Sequence, residues 1–141
     1  MKRLFFTASI LACLFSLSSF ANEKNVPDVL QSFYKKFSNA QNVNWSDVND
    51  MLRIGFTING RQQFAYYSND DLVVVATEIK IEELPETLKT QLSQYKGYVV
   101  TQAYELNKSE SREYCVMLQS PSKTMTLKGK NKWKVYIEER N

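Results

Sequence analysis

The sequence predicts an α+β protein, in which tandem helix-plus-antiparallel-strand units form one curved antiparallel sheet with two helices on one face. Three observations support this class: an Asn59-Gly60 pair between two alternating runs, two amphipathic helical patterns, and a shared motif at the start of each helix. The 141 residues are 43% hydrophobic and 23% charged, a balance typical of a folded domain rather than a disordered chain. We expect residues 22–141 to form this domain.

The first predicted helix covers residues 27–37. Pro27 suits a first helical turn because its missing N–H would have no partner there, and Asp28 complements the positive end of the helix dipole. An apolar stripe recurs at helical spacing and consists of Val26, Leu30, Phe33, Tyr34 and Phe37.

The Asn59-Gly60 pair predicts a hairpin between strands at 51–58 and 61–68, after a short strand candidate at 43–45. A two-residue type I′ turn needs positive φ at both positions, which Asn and Gly tolerate. The turn sets the register of the two strands. It places Arg53 opposite Tyr66 and Gly55 opposite Phe64 on an outward face, and Leu52, Ile54, Phe56 and Ile58 on the core face.

The second half of the chain repeats the order of helix and strands. A helix is expected to begin near Leu84-Pro85-Glu86 and to end at Gly97, with an acidic start that complements its dipole. In the last strand, alternation places Lys134 and Tyr136 outward and Trp133, Val135 and Ile137 inward. The predicted strands lie at 72–79, 98–106, 112–119, 124–128 and 132–138.

The helix starts carry an internal repeat and a family resemblance. Val26-Pro27-Asp28-Val29-Leu30 and Leu84-Pro85-Glu86-Thr87-Leu88 share an apolar residue, Pro, an acid and Leu, which predicts repeats at about 26–80 and 84–139. Together with Phe33, Phe37, Ala40, Trp45, Phe56 and Gly60, these segments resemble the PepSY-like and beta-lactamase-inhibitor-like (BLIP-like) exported proteins of Bacteroidetes-type bacteria. The resemblance implies a curved sheet backed by helices and an inhibitor-like or peptidase-regulating role.

The N-terminus has the three parts of a secretory signal peptide. Lys2 and Arg3 are basic, residues 4–17 are nearly all apolar, and Ser19-Phe20-Ala21 supplies small residues at the cleavage positions. We therefore expect cleavage after Ala21 and a periplasmic or secreted protein. A membrane anchor is disfavoured because the apolar run is short for a bilayer.

The two cysteines fall on either side of that cleavage site. Cys13 ends Ile10-Leu11-Ala12-Cys13, which resembles a lipoprotein processing box, so a lipoprotein anchored through Cys13 is the alternative. If Ala21 ends the signal, Cys115 is the only cysteine left and no internal disulfide can form. The strand-like surroundings of Cys115 predict a buried structural thiol.

Composition excludes several functions. The chain contains no histidine, which excludes Ser-His-Asp triads and imidazole zinc sites, and we expect no enzyme activity, cofactor or metal. The formal charge of +3 falls to +1 without Lys2 and Arg3, so nucleic-acid binding has no electrostatic support. We expect a monomeric, extracytoplasmic binding module without a transmembrane segment after cleavage.

The expected partner is a protein of the cell envelope, contacted through the sheet face that the helices leave open. Tyr and Arg are frequent at the centres of protein interfaces. The alternative for these aromatic residues is stabilisation of cross-strand pairs. The alternative function is a carrier or sensor of a small ligand. The candidate partner-binding residues are Arg53, Phe64, Tyr66, Lys134 and Tyr136.

Overall fold

The computed structural model describes residues 26–141, which form an α+β fold. The described residues contain two α-helices and one antiparallel sheet of eight strands in chain order, which confirms the predicted class. No helix in this part of the chain is long and apolar enough to cross a membrane. The predicted signal peptide and the lipidation candidate Cys13 lie outside the described residues.

The helices and strands are short and joined by tight turns. Helix α1 spans Val26–Lys36 and helix α2 spans Glu86–Leu92, with a 3₁₀ turn at Ile81–Glu83 before α2. The strands are β1 Gln41–Val48, β2 Met51–Ile58, β3 Arg61–Ser68, β4 Asp71–Glu78, β5 Val99–Asn107, β6 Arg112–Gln119, β7 Lys123–Gly129 and β8 Lys134–Arg140.

The described residues divide into two compact units. The first unit holds residues 26–77 and Leu106–Ser111, and the second holds Glu78–Glu105 and Arg112–Asn141. The prediction that both repeats fold as a single domain remains a prediction. Each unit is described by itself below.

In the first unit, α1 packs on one face of β2 and β3. Phe33 of the helix meets Phe56 of β2 edge-on, with ring centroids 4.9 Å apart. Phe37 lies at the same centroid distance of 4.9 Å from Phe56. Fully burying such a ring contributes about 1.5–3 kcal/mol. The buried core of this unit is Val29, Phe33, Leu52, Ile54, Phe56, Ala65 and Tyr67.

The β2–β3 hairpin has the predicted turn and register. Asn59 and Gly60 have φ values of 53° and 76°, as a type I′ turn requires. The register pairs Ile58 with Arg61 and Leu52 with Tyr67, as expected. Alternation therefore assigns the β2 side chains correctly, because one face of the hairpin is buried by α1.

Strand β1 is longer than the predicted strand at 43–45 and is irregular. Its register against β2 shifts between Gln41 and Asn44, and Asn42 has a φ of 52°. The Asn42 side chain donates a hydrogen bond to Thr57 Oγ1 at 3.2 Å. This bond ties the irregular segment to the neighbouring strand.

In the second unit, α2 packs against strands of its own unit and secures the turn before β8. Trp133 Nε1–H donates to the Leu88 carbonyl at 2.8 Å in a buried setting. Gln91 Oε1 accepts from the Trp133 backbone N–H at 3.0 Å, and Gln91 Nε2 donates to the Asn131 carbonyl at 2.9 Å. The buried core of this unit is Leu84, Leu88, Ala103, Val116, Leu118, Met125, Leu127 and Trp133.

Helix α2 is shorter than predicted: it ends at Leu92, whereas the sequence predicted an end at Gly97. The backbone N–H groups of Ser93 and Tyr95 bond three residues back, to Thr90 and Leu92, and so tighten the chain. The Ser93 hydroxyl also donates to the Thr90 carbonyl at 2.7 Å. Such a side-chain bond competes with continuation of the helix.

Cys115 is buried in the second unit, as predicted, with 1% of its surface exposed. The structure has this residue disulfide-bonded rather than as a free thiol. The prediction of burial is therefore confirmed, whereas the free thiol was expected for the chain cleaved after Ala21 and remains a prediction.

A β-bulge corrects the face assignment predicted for β8. The pairing with β7 shifts between Thr126 and Leu127, which leaves one extra residue in β8. Val135 therefore lies opposite Leu127 and Ile137 lies opposite Thr126, on opposite faces of the sheet. Strict alternation was wrong for Ile137, which shares the face of Thr126. Val135 lies on the side of the core residue Leu127, as expected, but is 51% exposed.

Candidate functional site

The first unit presents a second face, defined as the side of β2–β4 opposite α1. It carries Arg53 and Gly55 of β2, Phe64 and Tyr66 of β3, and Val74 and Ala76 of β4. The Asn59-Gly60 turn positions the β2 and β3 residues by setting their register. Three of the predicted site residues, Arg53, Phe64 and Tyr66, are thereby brought together.

Arg53 lies over the ring of Phe64. Its guanidinium carbon is 5.2 Å from the ring centroid, a cation–π distance. Gly55 stands directly opposite Phe64, and a Cβ placed at Gly55 would lie 3.4 Å from the Phe64 ring. The nearer neighbour of such a Cβ would be Asn44 Oδ1, at 3.0 Å. Arg53 and Phe64 are both partly exposed.

Tyr66 is buried, in contrast to the exposed position expected from the hairpin pattern. Only 1% of its surface is exposed, and it stands in register between Arg53 on β2 and Val74 on β4. The second face therefore has a buried floor and a half-exposed rim. Tyr66, Val74 and Ala76 form the floor, and Arg53 and Phe64 form the rim.

The hydroxyl of Tyr66 has no hydrogen-bond partner although it is buried. Burial raises the pKa of Tyr66 to about 12, and the nearby positive charge of Arg53 partly opposes this rise. Arg53 is thus close enough to influence the hydroxyl electrostatically. A weak interaction of an Arg53 donor with the hydroxyl oxygen also opposes the rise in pKa, but no partner of the hydroxyl meets the geometry of a full hydrogen bond.

The sequence did not lead us to the apolar residues Val74 and Ala76 of this face. They are 1% and 0% exposed. The sequence does contain an indication that these residues are buried, since Leu72–Ala76 is an unbroken apolar run. Such a run is typical of a strand that is buried on both faces rather than on one.

The two remaining candidates, Lys134 and Tyr136, belong to the second unit. Lys134 is exposed, and Tyr136 is partly buried with Lys128 Nζ 5.6 Å from its ring centroid. Lys128 also pairs with Glu113 at 3.4 Å. These residues form a separate polar surface, and their role in partner binding remains a prediction.

No group of possible metal ligands occurs among residues 26–141. The acidic start expected for the second helix is divided between two elements: Glu86 is the first residue of α2, and Glu82 and Glu83 lie in the preceding 3₁₀ turn. Glu83 Oε2 accepts a hydrogen bond from the Lys80 backbone N–H at 2.7 Å, and Glu86 pairs with Lys89. Both contacts are of the structural kind expected at a helix start.

Comparison with solved structures identifies the fold. A DUF2874 family protein from Bacteroides uniformis has a TM-score of 0.70 at 15% identity, over 80% of this chain and 87% of its own. A candidate periplasmic protein from Bacteroides eggerthii has a TM-score of 0.71 at 15% identity, over 86% and 89%. A BLIP-like protein from Bacteroides fragilis has a TM-score of 0.64 at 18% identity, over 84% and 87%.

No protein-family model matches the chain, and no curated protein matches it. The likeness to the three structures is one of fold, since all identities lie below 20%. It agrees with the BLIP-like part of the resemblance drawn from the sequence.

Proposed function

We propose that this protein is a non-enzymatic, extracytoplasmic binding module that contacts a protein partner through the second face of its first unit. The observation that carries the proposal is the stack of Arg53 on Phe64 at the rim of that face. Arg and aromatic side chains held rigidly on a sheet are the residue types that dominate interface energetics. A cation fixed over a ring loses less side-chain entropy on binding than a mobile one.

The partner class in this proposal is a hydrolase or peptidase of the cell envelope, which the protein inhibits or regulates. The BLIP-like description of one structural neighbour supports this class, and the candidate periplasmic description of another supports the location. A signal peptide that ends at Ala21, membership in the PepSY-like group and a monomeric state belong to the same proposal. Lys134 and Tyr136 are secondary contact candidates.

The test is affinity capture from the envelope fraction of the source bacterium. The protein is expressed from its full sequence, purified after export, and compared with Phe64→Ala and with Arg61→Gln as a control. Arg61 lies opposite Ile58, on the α1 side of the hairpin. We expect a stoichiometric hydrolase or peptidase with the unchanged protein and the control, and loss of it with Phe64→Ala.

Two results would contradict the proposal. One is the absence of any stoichiometric partner. The other is equal capture by Phe64→Ala and the unchanged protein, with near-UV circular dichroism showing that the variant is folded. A small molecule that copurifies in place of a protein would favour the carrier function instead.

A further inference from the structure

We infer that Arg53 and Tyr66 form a subsite for a carboxylate side chain of the protein partner. The inference rests on the binding function proposed above and specifies the chemistry that the second face recognises. It is carried by two donor groups on neighbouring strands of the described part of the chain, one a cation without an ion pair and the other a buried hydroxyl without a hydrogen-bond partner.

The first group is the guanidinium of Arg53. Among the described residues, Arg53 takes part in no ion pair, whereas several other cations are paired. Its recorded contacts are the ring of Phe64 and the vicinity of Tyr66. A guanidinium has five N–H donors, so its interaction with the Tyr66 oxygen leaves other donors for a carboxylate. The paired cations are Lys89 with Glu86, Arg112 with Glu105, Lys123 with Glu138 and Lys128 with Glu113.

The second group is the hydroxyl of Tyr66. It lies on the strand beside Arg53, in direct register with it, and it is buried without a partner. Most buried polar atoms in native proteins are hydrogen-bonded, so an unsatisfied one at the floor of a surface strip requires an explanation. The opposing residue on β4 is Val74, which offers no side-chain acceptor. An acceptor supplied by a partner would satisfy the hydroxyl.

A carboxylate fits both groups at once. One oxygen can accept from the guanidinium and the other from the hydroxyl, which are both donors and stand side by side. A cation would be repelled by Arg53, and an apolar segment would leave both donors unsatisfied. Arg53 is the partly exposed member of the pair, so an approaching carboxylate meets it first. Its proximity to Tyr66 then brings that carboxylate near the hydroxyl.

The experiment uses the exported protein and two small probes, N-acetylglutamate amide and N-acetylglutamine amide, followed by NMR chemical shifts. The probes differ by one charge and are otherwise nearly the same shape. We expect saturable shifts centred on β2 and β3 with the glutamate probe and none with the glutamine probe. Arg53→Gln should abolish the shifts, and Tyr66→Phe should weaken binding about tenfold, as the loss of one charge-assisted hydrogen bond would.

The controls change the same chemistry on the other side of the hairpin. Arg61→Gln and Tyr67→Phe should leave the affinity for the glutamate probe unchanged, because Tyr67 belongs to the core beneath α1. Equal binding of both probes, or equal losses in Arg53→Gln and Arg61→Gln, would overturn the subsite. Tyr66→Phe is expected to fold, so its affinity remains measurable.

The outcomes separate this inference from the proposed function. If a partner is captured and Arg53→Gln retains it at unchanged affinity, the subsite is overturned while the binding function stands. If the glutamate probe binds as expected but no protein partner exists, the carboxylate site is supported and the proposed function fails. In that case a free carboxylate would be the ligand.

Discussion

Replacing Tyr66 by Phe should make the protein more stable, although Tyr66 is one of its most deeply buried side chains. The substitution removes one oxygen atom and keeps the ring. That oxygen is buried and has no hydrogen-bond partner in the structure. A buried polar group in this condition costs about 1–3 kcal/mol, and its removal abolishes the cost.

The size of the gain follows from two opposing effects. Loss of the unsatisfied hydroxyl favours the folded variant, whereas the small void left by the oxygen opposes it through lost packing contacts. We expect a net gain of about 1 kcal/mol at neutral pH, which corresponds to a rise in Tm of about 4 °C for a domain of this size. Urea unfolding followed by far-UV circular dichroism measures the free energy of unfolding directly.

Tyr67→Phe is the matched control for this measurement. Tyr67 neighbours Tyr66 in the chain but faces the α1 core, and its hydroxyl is not a buried atom without a partner. No gain is expected from its removal. A loss of about 0.5 kcal/mol or more in Tyr66→Phe would refute the reasoning, because it would show that the hydroxyl makes a favourable bond, with Arg53 as the nearest donor.

Further changes have outcomes that can be worked out from the structure. The unfolded chain loses the Tyr66 proton near pH 10 and the folded chain near pH 12, so stability present below pH 10 should fall by about 2–3 kcal/mol as pH rises to 12. Urea titrations across this range measure the loss, which Tyr66→Phe should lack. Gly129→Ala should cost about 2 kcal/mol or more in urea unfolding, since a Cβ there would overlap the Lys132 carbonyl oxygen. Trp133→Phe should cost about 1–3 kcal/mol in urea unfolding, because it removes the buried 2.8 Å hydrogen bond from the indole N–H to the Leu88 carbonyl and leaves a void beside the smaller ring. If export removes residues 1–21, a thiol reagent should detect one thiol, at Cys115, and only after unfolding.

Specific results would contradict each of these expectations. A stability profile between pH 10 and 12 that is the same with and without Tyr66 would argue against the raised pKa. Gly60→Ala is the control for Gly129→Ala, because no atom lies within 4 Å of its added Cβ and the cost arises from its positive φ alone. Equal losses of unfolding free energy in the two variants would show that overlap with the Lys132 carbonyl oxygen adds no cost at residue 129. Signal cleavage would be excluded if the purified chain had the mass of all 141 residues and Cys115 did not react with the thiol reagent after unfolding.

The parts of the fold set by local chemistry could be predicted from the sequence. Asn59-Gly60 specifies a turn that few other pairs adopt, and the alternation in β2 then allows one register. The positions of Arg53 and Phe64 on one face follow from that register without further information. The stack between them is also foreseeable in part, because the register makes Arg53 and Phe64 diagonal neighbours on adjacent strands.

The parts that depend on packing could not be predicted. The bulge in β8 has no marker in its own sequence, since it arises from how β8 pairs with β7. The early end of α2 depends on Ser93, a residue that many helices tolerate. The burial of Tyr66 was missed because alternation distinguishes two faces without saying how far each is exposed. The run of apolar residues in β4 carried that information.

The irregular start of β1 has a consequence for how this chain meets other chains. Strand β1 is the first in the sheet order, so one row of its backbone groups has no neighbouring strand within the sheet. An incoming strand needs several residues in regular extended conformation to form a ladder with such an edge. The positive φ at Asn42 and the shift before Asn44 interrupt that conformation. Contiguous pairing is then restricted to the last few residues of β1, which guards the protein against edge-to-edge aggregation.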